Sequence, residues 1–191
     1  MRINKFLSSL GIASRRAIDK YIEEGRIKVN GVIASTGIDV TEEDEIYIDN
    51  KKIETKRIEE KVYFMLNKPL EVLSASSDDR GRKTVVDLIK TDKRIFPIGR
   101  LDYMTSGLIL LTNDGELFNR LVHPKSEIYK KYYIKVFGEV KKEEIEELKK
   151  GVLLEDGKTL PAKVSGIKYD KNKTSMYISI REGRNRQIRR M

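Results

Sequence analysis

The 191-residue chain has no cysteine and one histidine, His123, so its chemistry must come from carboxylates, hydroxyls, tyrosine, lysine and arginine. Thiolate metal sites and a cysteine nucleophile are excluded. The stretch GRLDYMTSGLILLTNDGE, residues 99–116, holds the carboxylate best placed to act. Asp102 sits in a polar, glycine-marked loop just ahead of the apolar run 107–111, which reads as a central buried strand. A loop anchored on such a strand holds its side chains in place. A carboxylate so held can serve as nucleophile or general base. It can also cap its own turn, bonding the amides of residues 103–105 or the Ser106 hydroxyl. His123 precedes Pro124 at the end of a helical pattern and reads as a surface or capping residue.

A second candidate lies at the far end, in EGRNRQIRRM, residues 182–191. Arg184, Arg186, Arg189 and Arg190 fall within it and Arg181 just precedes it, directly after a strand pattern. Such a cluster can hold phosphates, or set a guanidinium beside a carboxylate and keep it ionised. The whole chain carries a net charge of +9, which points to a polyanionic partner. The charge is uneven: residues 1–30 hold seven basic and three acidic side chains, residues 31–60 four basic and nine acidic. The seven are Arg2, Lys5, Arg15, Arg16, Lys20, Arg26 and Lys28, of which the last six are the RNA-binding candidates, and positions three to five apart bring Arg15, Arg16 and Lys20 together on one helix face.

The elements that position these residues are well punctuated. Residues 4–11 form a short amphipathic helix pattern stopped by Gly11, and Ser14 stands as N-cap of a second helix that stops at Gly25. RIKVN, the Asn30–Gly31 pair and VIA predict a type I′ hairpin, followed by the alternating strand EIYID. Ala17, Ile18, Tyr21 and Ile22 are core candidates. Residues 49–61 are polar except for Ile53 and Ile58 and read as a linker. Beyond it come a strand at residues 62–66 halted by Pro69, a short helix TVVDLI capped by Thr84, and a helix from NDGELF capped by Asn113 or Asp114. YYIKVFG and SMYISIREG are strands, and KKEEIEELKKG is a surface helix closed by Gly151. The fold class expected is α+β: a small unit at 1–49, a linker at 50–61, and a mixed, mainly antiparallel-sheet unit at 62–191. No window is apolar enough to span a membrane and the N-terminus lacks a signal-peptide core, so the cytoplasm is expected.

Ser14, Arg15, Arg16, Ile22, Gly25, Arg26, Val29, Asn30 and Gly31 resemble the S4 RNA-binding domain. With NKP at 67–69, GRLDxxTSGLILLTNDGE, the KxYxxxVxG of 130–138 and EGRNRQIRRM, nearly the whole chain resembles the pseudouridine synthases of the RsuA/RluB type, and the motif wording is nearest the large-subunit branch. The resemblance implies isomerisation of a uridine in ribosomal RNA, with Asp102 as the essential catalytic residue. It implies that Tyr132 packs against the uracil, that Ile188 lines the base pocket, that Arg189 pairs with Asp102, and that Arg100 takes the place of the extruded nucleotide; Arg184 joins them as a substrate-binding candidate. It also implies that no metal or organic cofactor is needed. Ribosomal RNA or an assembling ribosomal particle is the expected partner, and a monomer the expected state. The family continues some tens of residues past RRM, so the pocket wall after Arg190 is expected to be incomplete. The rival reading is a ribosome-assembly protein that keeps the fold without catalysis. Loss of Asp102, Tyr132 or the basic residue at 189 would mark it, and all three are present.

Overall fold

Serine and glycine set the ends of the first two helices in the computed structural model, which describes residues 1–56 and 59–191. Helix α1 (Ile3–Ser9) runs out ahead of Gly11, whose φ of 77° is left-handed. Helix α2 (Arg15–Glu23) starts at Ser14, whose Oγ accepts the Ala17 amide at 3.1 Å, as the cap signal requires. Strands β1 (Ile27–Val29) and β2 (Val32–Ile33) turn through Asn30 and Gly31 at φ of 50° and 83°, the two positive values a type I′ turn needs. With β3 (Ile46–Ile48) and β4 (Lys51–Lys52) they form a sheet in the order β2-β1-β3-β4. Ile18 and Ile22 are buried against Ile3, Leu7, Ile27 and Ile46, whereas Ala17 and Tyr21 are half-buried. The polar stretch after residue 49 carries β4 and Ile53, which packs on this core and donates its amide to the Ile46 carbonyl at 2.8 Å. Ile58 lies outside the described residues.

A second sheet of three antiparallel strands follows: β5 (Tyr63–Lys68), β6 (Phe96–Ile98) and β7 (Gly107–Thr112), with β7 in the middle. Strand β5 runs two residues past the expected end at Leu66 and stops at Pro69, which has no N–H for the ladder. The apolar run in β7 is not buried on both faces. Ile109 and Leu111 enter a core with Val72, Val85 and Ile95, while Leu108 is 66% exposed, so the strand behaves as one-sided. Residues 84–89 make a 3-10 turn (Val86–Leu88) in place of the expected helix, and the capping runs in reverse: Asp87 Oδ2 accepts the Thr84 amide at 2.8 Å and hydroxyl at 3.0 Å. Helix α3 (Gly115–Val122) is capped by Asp114, which accepts the Glu116 and Leu117 amides; Asn113 instead bonds Val62 and Glu60. His123 is exposed just after α3, and its Nδ1 accepts the Lys125 amide at 3.1 Å.

The chain divides into two compact units, Met1–Phe118 and Asn119–Met191. The second holds β8 (Lys130–Phe137), α4 (Lys142–Lys150), the hairpin β9 (Leu153–Leu154) and β10 (Gly157–Lys158), β11 (Lys163–Asp170), β12 (Lys173–Ile180) and α5 (Gln187–Arg190). Its antiparallel sheet has the order β11-β12-β8, with Met176, Ile178 and Ile180 on the face that packs with Leu148 of α4 and Ala162. Among the described residues no helix is long and apolar enough to cross a membrane.

Asp114 also accepts the Tyr63 hydroxyl at 3.0 Å and lies 3.2 Å from the Lys61 ammonium. Burial alone would raise its pKa, but bonds from the Leu117 amide, Lys61, Tyr63 and the Glu116 amide hold it below the usual aspartate value. The stability it contributes is therefore present above about pH 4 and lost as pH falls through the lowered folded value. Asp114→Asn keeps the cap but loses the charged oxygen that faces Tyr63 and Lys61; it is expected to cost about 1 kcal/mol near neutral pH and to flatten the loss of stability on acidification. Urea melts at a series of pH values measure both effects, and an unchanged acid limb would show that Asp114 carries no such linkage.

Candidate active site

Asp102 is half-buried in the loop between β6 and β7, in the first unit. Gly99, at φ of 78°, turns the chain out of β6, and exposed Arg100 follows. The next residue is gripped from both sides: the Ser74 hydroxyl donates to the Leu101 carbonyl at 2.8 Å and accepts the Leu101 amide at 3.0 Å. Past Asp102, its own carbonyl accepts the Thr105 amide at 3.0 Å, and the Tyr103 carbonyl accepts the Glu71 amide at 2.8 Å.

Beneath this loop lies Lys68, the last residue of β5, with no exposure to solvent. Its ammonium donates to the carbonyls of Pro69 at 2.8 Å, Val72 at 2.9 Å and Tyr103 at 3.5 Å. Burial lowers its pKa from the ordinary lysine value, while the charge of Asp102 acts in the opposite sense and favours the ammonium. A buried cation is tolerated where acceptors surround it. Here the acceptors belong to the segment after β5 and to the residue following Asp102, so the cation ties the loop to the sheet. Lys68 and Ser74 had no role assigned from sequence. The signal for Lys68 was the NKP motif itself, a lysine at a strand end fixed by the proline after it.

In the second unit Tyr132, on β8, stands opposite Ile178 of β12. Tyr132 and Ile188, the latter from α5, both pack half-buried on the Met176, Ile178 and Ile180 cluster, so the structure brings these two candidates onto one core. Arg189 is exposed on α5. Arg184 has a different place: it donates to the carbonyls of Gly157 at 2.8 Å, Lys158 at 2.5 Å and Asp156 at 3.3 Å, and faces Glu182. Arg190 reaches the same hairpin through a bidentate pair with Asp156 at 2.9 and 3.0 Å. Buried Gln187 completes the clamp, donating to Glu182 at 2.6 Å and accepting the Arg184 amide at 3.0 Å.

The basic candidates of the first unit also separate. Lys5, Arg15 and Arg16 are exposed on α1 and α2. Lys20 lies 3.7 Å from Glu24, and Lys28 reaches the Asn50 side chain at 3.5 Å. Arg26 is held internally, bidentate on Asp49 at 2.8 and 2.5 Å, 3.0 Å from Glu24, and stacked 4.1 Å over the Tyr21 ring.

Two family models match the chain: RNA pseudouridylate synthase over residues 62–191 and the S4 domain over residues 1–46. The chain belongs to the RNA pseudouridine synthase family. It is 51% identical to the ribosomal large subunit pseudouridine synthase B of Bacillus subtilis (strain 168), over all of this chain and 78% of that one. It is 45% identical to an uncharacterized RNA pseudouridine synthase of Aquifex aeolicus (strain VF5), over all of this chain and 77% of the relative. A solved structure of a pseudouridylate synthase superposes with a TM-score of 0.65 at 31% identity, covering all of this chain and 81% of the other. The synthase is thus an isomerase with RNA as its partner, an S4 domain at its N-terminus and the α+β, mainly antiparallel fold expected of it.

Removing the Ser74 hydroxyl frees the Leu101 backbone without touching Asp102. Ser74→Ala is expected to slow single-turnover pseudouridine formation by roughly ten- to a hundredfold, to leave RNA affinity near wild type, and to cost about 1 kcal/mol of stability. Rapid-quench kinetics beside a binding titration check this; a wild-type rate would show that the loop does not depend on the clamp.

Proposed function

We propose that the synthase converts one uridine of large-subunit ribosomal RNA to pseudouridine, with Asp102 as the essential carboxylate. The observation that carries this reading is the loop between β6 and β7, in which the residues on either side of Asp102 are fixed by Ser74 and by the buried Lys68. The similarity to the ribosomal large subunit pseudouridine synthase B of Bacillus subtilis supports the choice of the large subunit.

The reaction breaks the N1–C1′ bond, turns the uracil and joins C5 to C1′; C5 gives up its proton, N1 gains one, and nothing is consumed. A carboxylate can start it in two ways, by attacking C1′ or by removing the C2′ proton. Neither route calls for a metal or an organic cofactor. A paired uridine has to leave its stack first. Tyr132 offers an aromatic surface to the extruded base and Ile188 an apolar one, while Arg100 fills the place the nucleotide leaves. The resemblance gives Arg189 the part of keeping Asp102 ionised. Arg184 supports this end by holding the β9–β10 hairpin. Residues 1–49 act as the RNA-holding unit and 62–191 as the catalytic one, joined by 50–61, and a monomer suffices in the cytoplasm. Lys5, Arg15, Arg16, Lys20 and Lys28 contact phosphates, so affinity falls with salt. Arg26 shapes that surface through Asp49.

Carbodiimide mapping of large-subunit rRNA from a strain lacking this protein tests the proposal. Adding wild-type protein is expected to create a single new stop, and adding Asp102→Asn none, although both bind the RNA. Tyr132→Phe is expected to keep the stop while Tyr132→Ala slows its appearance strongly. No modification by wild type, with RNA binding intact, would favour the non-catalytic assembly protein.

A further inference from the structure

Tyr132 occupies one face of the β11-β12-β8 sheet, and the opposite face of the same sheet has a composition that solubility does not explain. Its outward side chains form four rungs. Lys131, Tyr133, Lys135 and Phe137 of β8 stand opposite Ser179, Tyr177, Ser175 and Lys173 of β12. Strand β11 adds Lys163, Ser165, Lys168 and Asp170 to the same rungs in turn. The face thus carries five lysines and one acid, with three aromatic rings along its length.

The rings are open to solvent: Phe137 is 85% exposed and Tyr133 56%, and Tyr177 is exposed as well. Tyr133 and Tyr177 lie with centroids 5.3 Å apart and tilted by 49°. Each ring is attended by a lysine: Lys131 stands 4.4 Å from the Tyr177 centroid, Lys173 5.4 Å from Phe137, and Lys135 5.8 Å from Tyr133. The backbone makes room for one of them. β11 bulges between Ser165 and Lys168, and a Cβ at Gly166, φ 62°, would come within 2.9 Å of Tyr177 Cδ2. Exposed rings bordered by cations are what unpaired nucleotides need, since any base stacks on a ring and the flanking phosphates pair with lysine. The charge excess argues against a second copy of this chain, whose own lysines would face these.

We propose that this outer face is a stacking platform for a short unpaired run of the RNA, with Phe137, Tyr133 and Tyr177 taking bases and the flanking lysines taking phosphates. Each lysine moves off its ring as a base arrives and onto the neighbouring phosphate. The platform rests on the reading that the synthase acts on RNA, and it lies on the face of the sheet away from Tyr132.

Fluorescence anisotropy with a short labelled single-stranded oligoribonucleotide, and with its duplex, tests the platform at fixed salt. The double variant Tyr133→Ser with Phe137→Ser is expected to lose at least tenfold in single-strand affinity and little for duplex, while Phe137→Tyr binds as wild type does. Crosslinking wild-type protein to a 4-thiouridine oligonucleotide, followed by peptide mapping, needs no variant and is expected to mark β8 and β12 residues of this face. Unchanged single-strand affinity in the double variant, or crosslinks confined elsewhere, overturns the proposal. Equally tight, Phe137-dependent binding of a poly-glutamate peptide also overturns it and makes the face a dock for an acidic protein. Turnover of rRNA by wild type is measured alongside. Turnover without the affinity loss rejects the platform alone, and crosslinks here without turnover reject the activity alone.

Discussion

A lysine ammonium sealed from water has to find acceptors within the protein, and in this synthase the acceptors of Lys68 are main-chain carbonyls. Those of Pro69 and Val72 belong to the segment leaving β5, and that of Tyr103 to the loop between β6 and β7. Desolvating the charge is unfavourable, and the arrangement holds only while all the carbonyls point inward. The ammonium therefore fixes the backbone next to Asp102. Ser74 does the same on the other side by closing both hydrogen bonds of Leu101. One-sided burial of β7 gives the loop a stiff base, since Ile109 and Leu111 are locked into a core immediately beyond it.

The C-terminal motif follows a similar logic with arginine. Arg184 and Arg190 both close on the β9–β10 hairpin, and Gln187 joins Glu182 to the Arg184 backbone. The α5 turn is thereby fixed, with Ile188 against the sheet core and Arg189 outward. A motif rich in one residue type thus divides its labour: some guanidiniums build the backbone that presents another. Arg26 shows the same division in the first unit, where Asp49, Glu24 and the Tyr21 ring hold it beside the more exposed Arg15 and Arg16.

Local signals carried much of the fold. Ser14, the Asn30–Gly31 pair and the charged pattern of α4 each act within a few residues, so a cap, a turn and a surface helix were readable without the tertiary structure. Strand β6 was not, because three residues including Pro97 leave no period to detect. Strand β11 escaped for a different reason: its bulge at Gly166 breaks the alternation. The helix expected at 84–89 shrank to a 3-10 turn in which Thr84, expected to accept as a cap, instead donates its amide and hydroxyl to Asp87. At the site, the loop and its single carboxylate were legible. Lys68 and Ser74 were not, since a buried lysine runs against the usual surface preference and the partner of Ser74 is distant in sequence.

If the fixed position of the carboxylate is what the fold provides, charge alone cannot replace it. The most direct measurement is the single-turnover rate of pseudouridine formation by Asp102→Glu, which keeps a carboxylate but moves it out by one methylene. A displacement of that order predicts a loss of roughly a hundredfold or more, with RNA binding unchanged. A rate near that of wild type would contradict the account, because a carboxylate that tolerates such a shift does not depend on the loop that holds it.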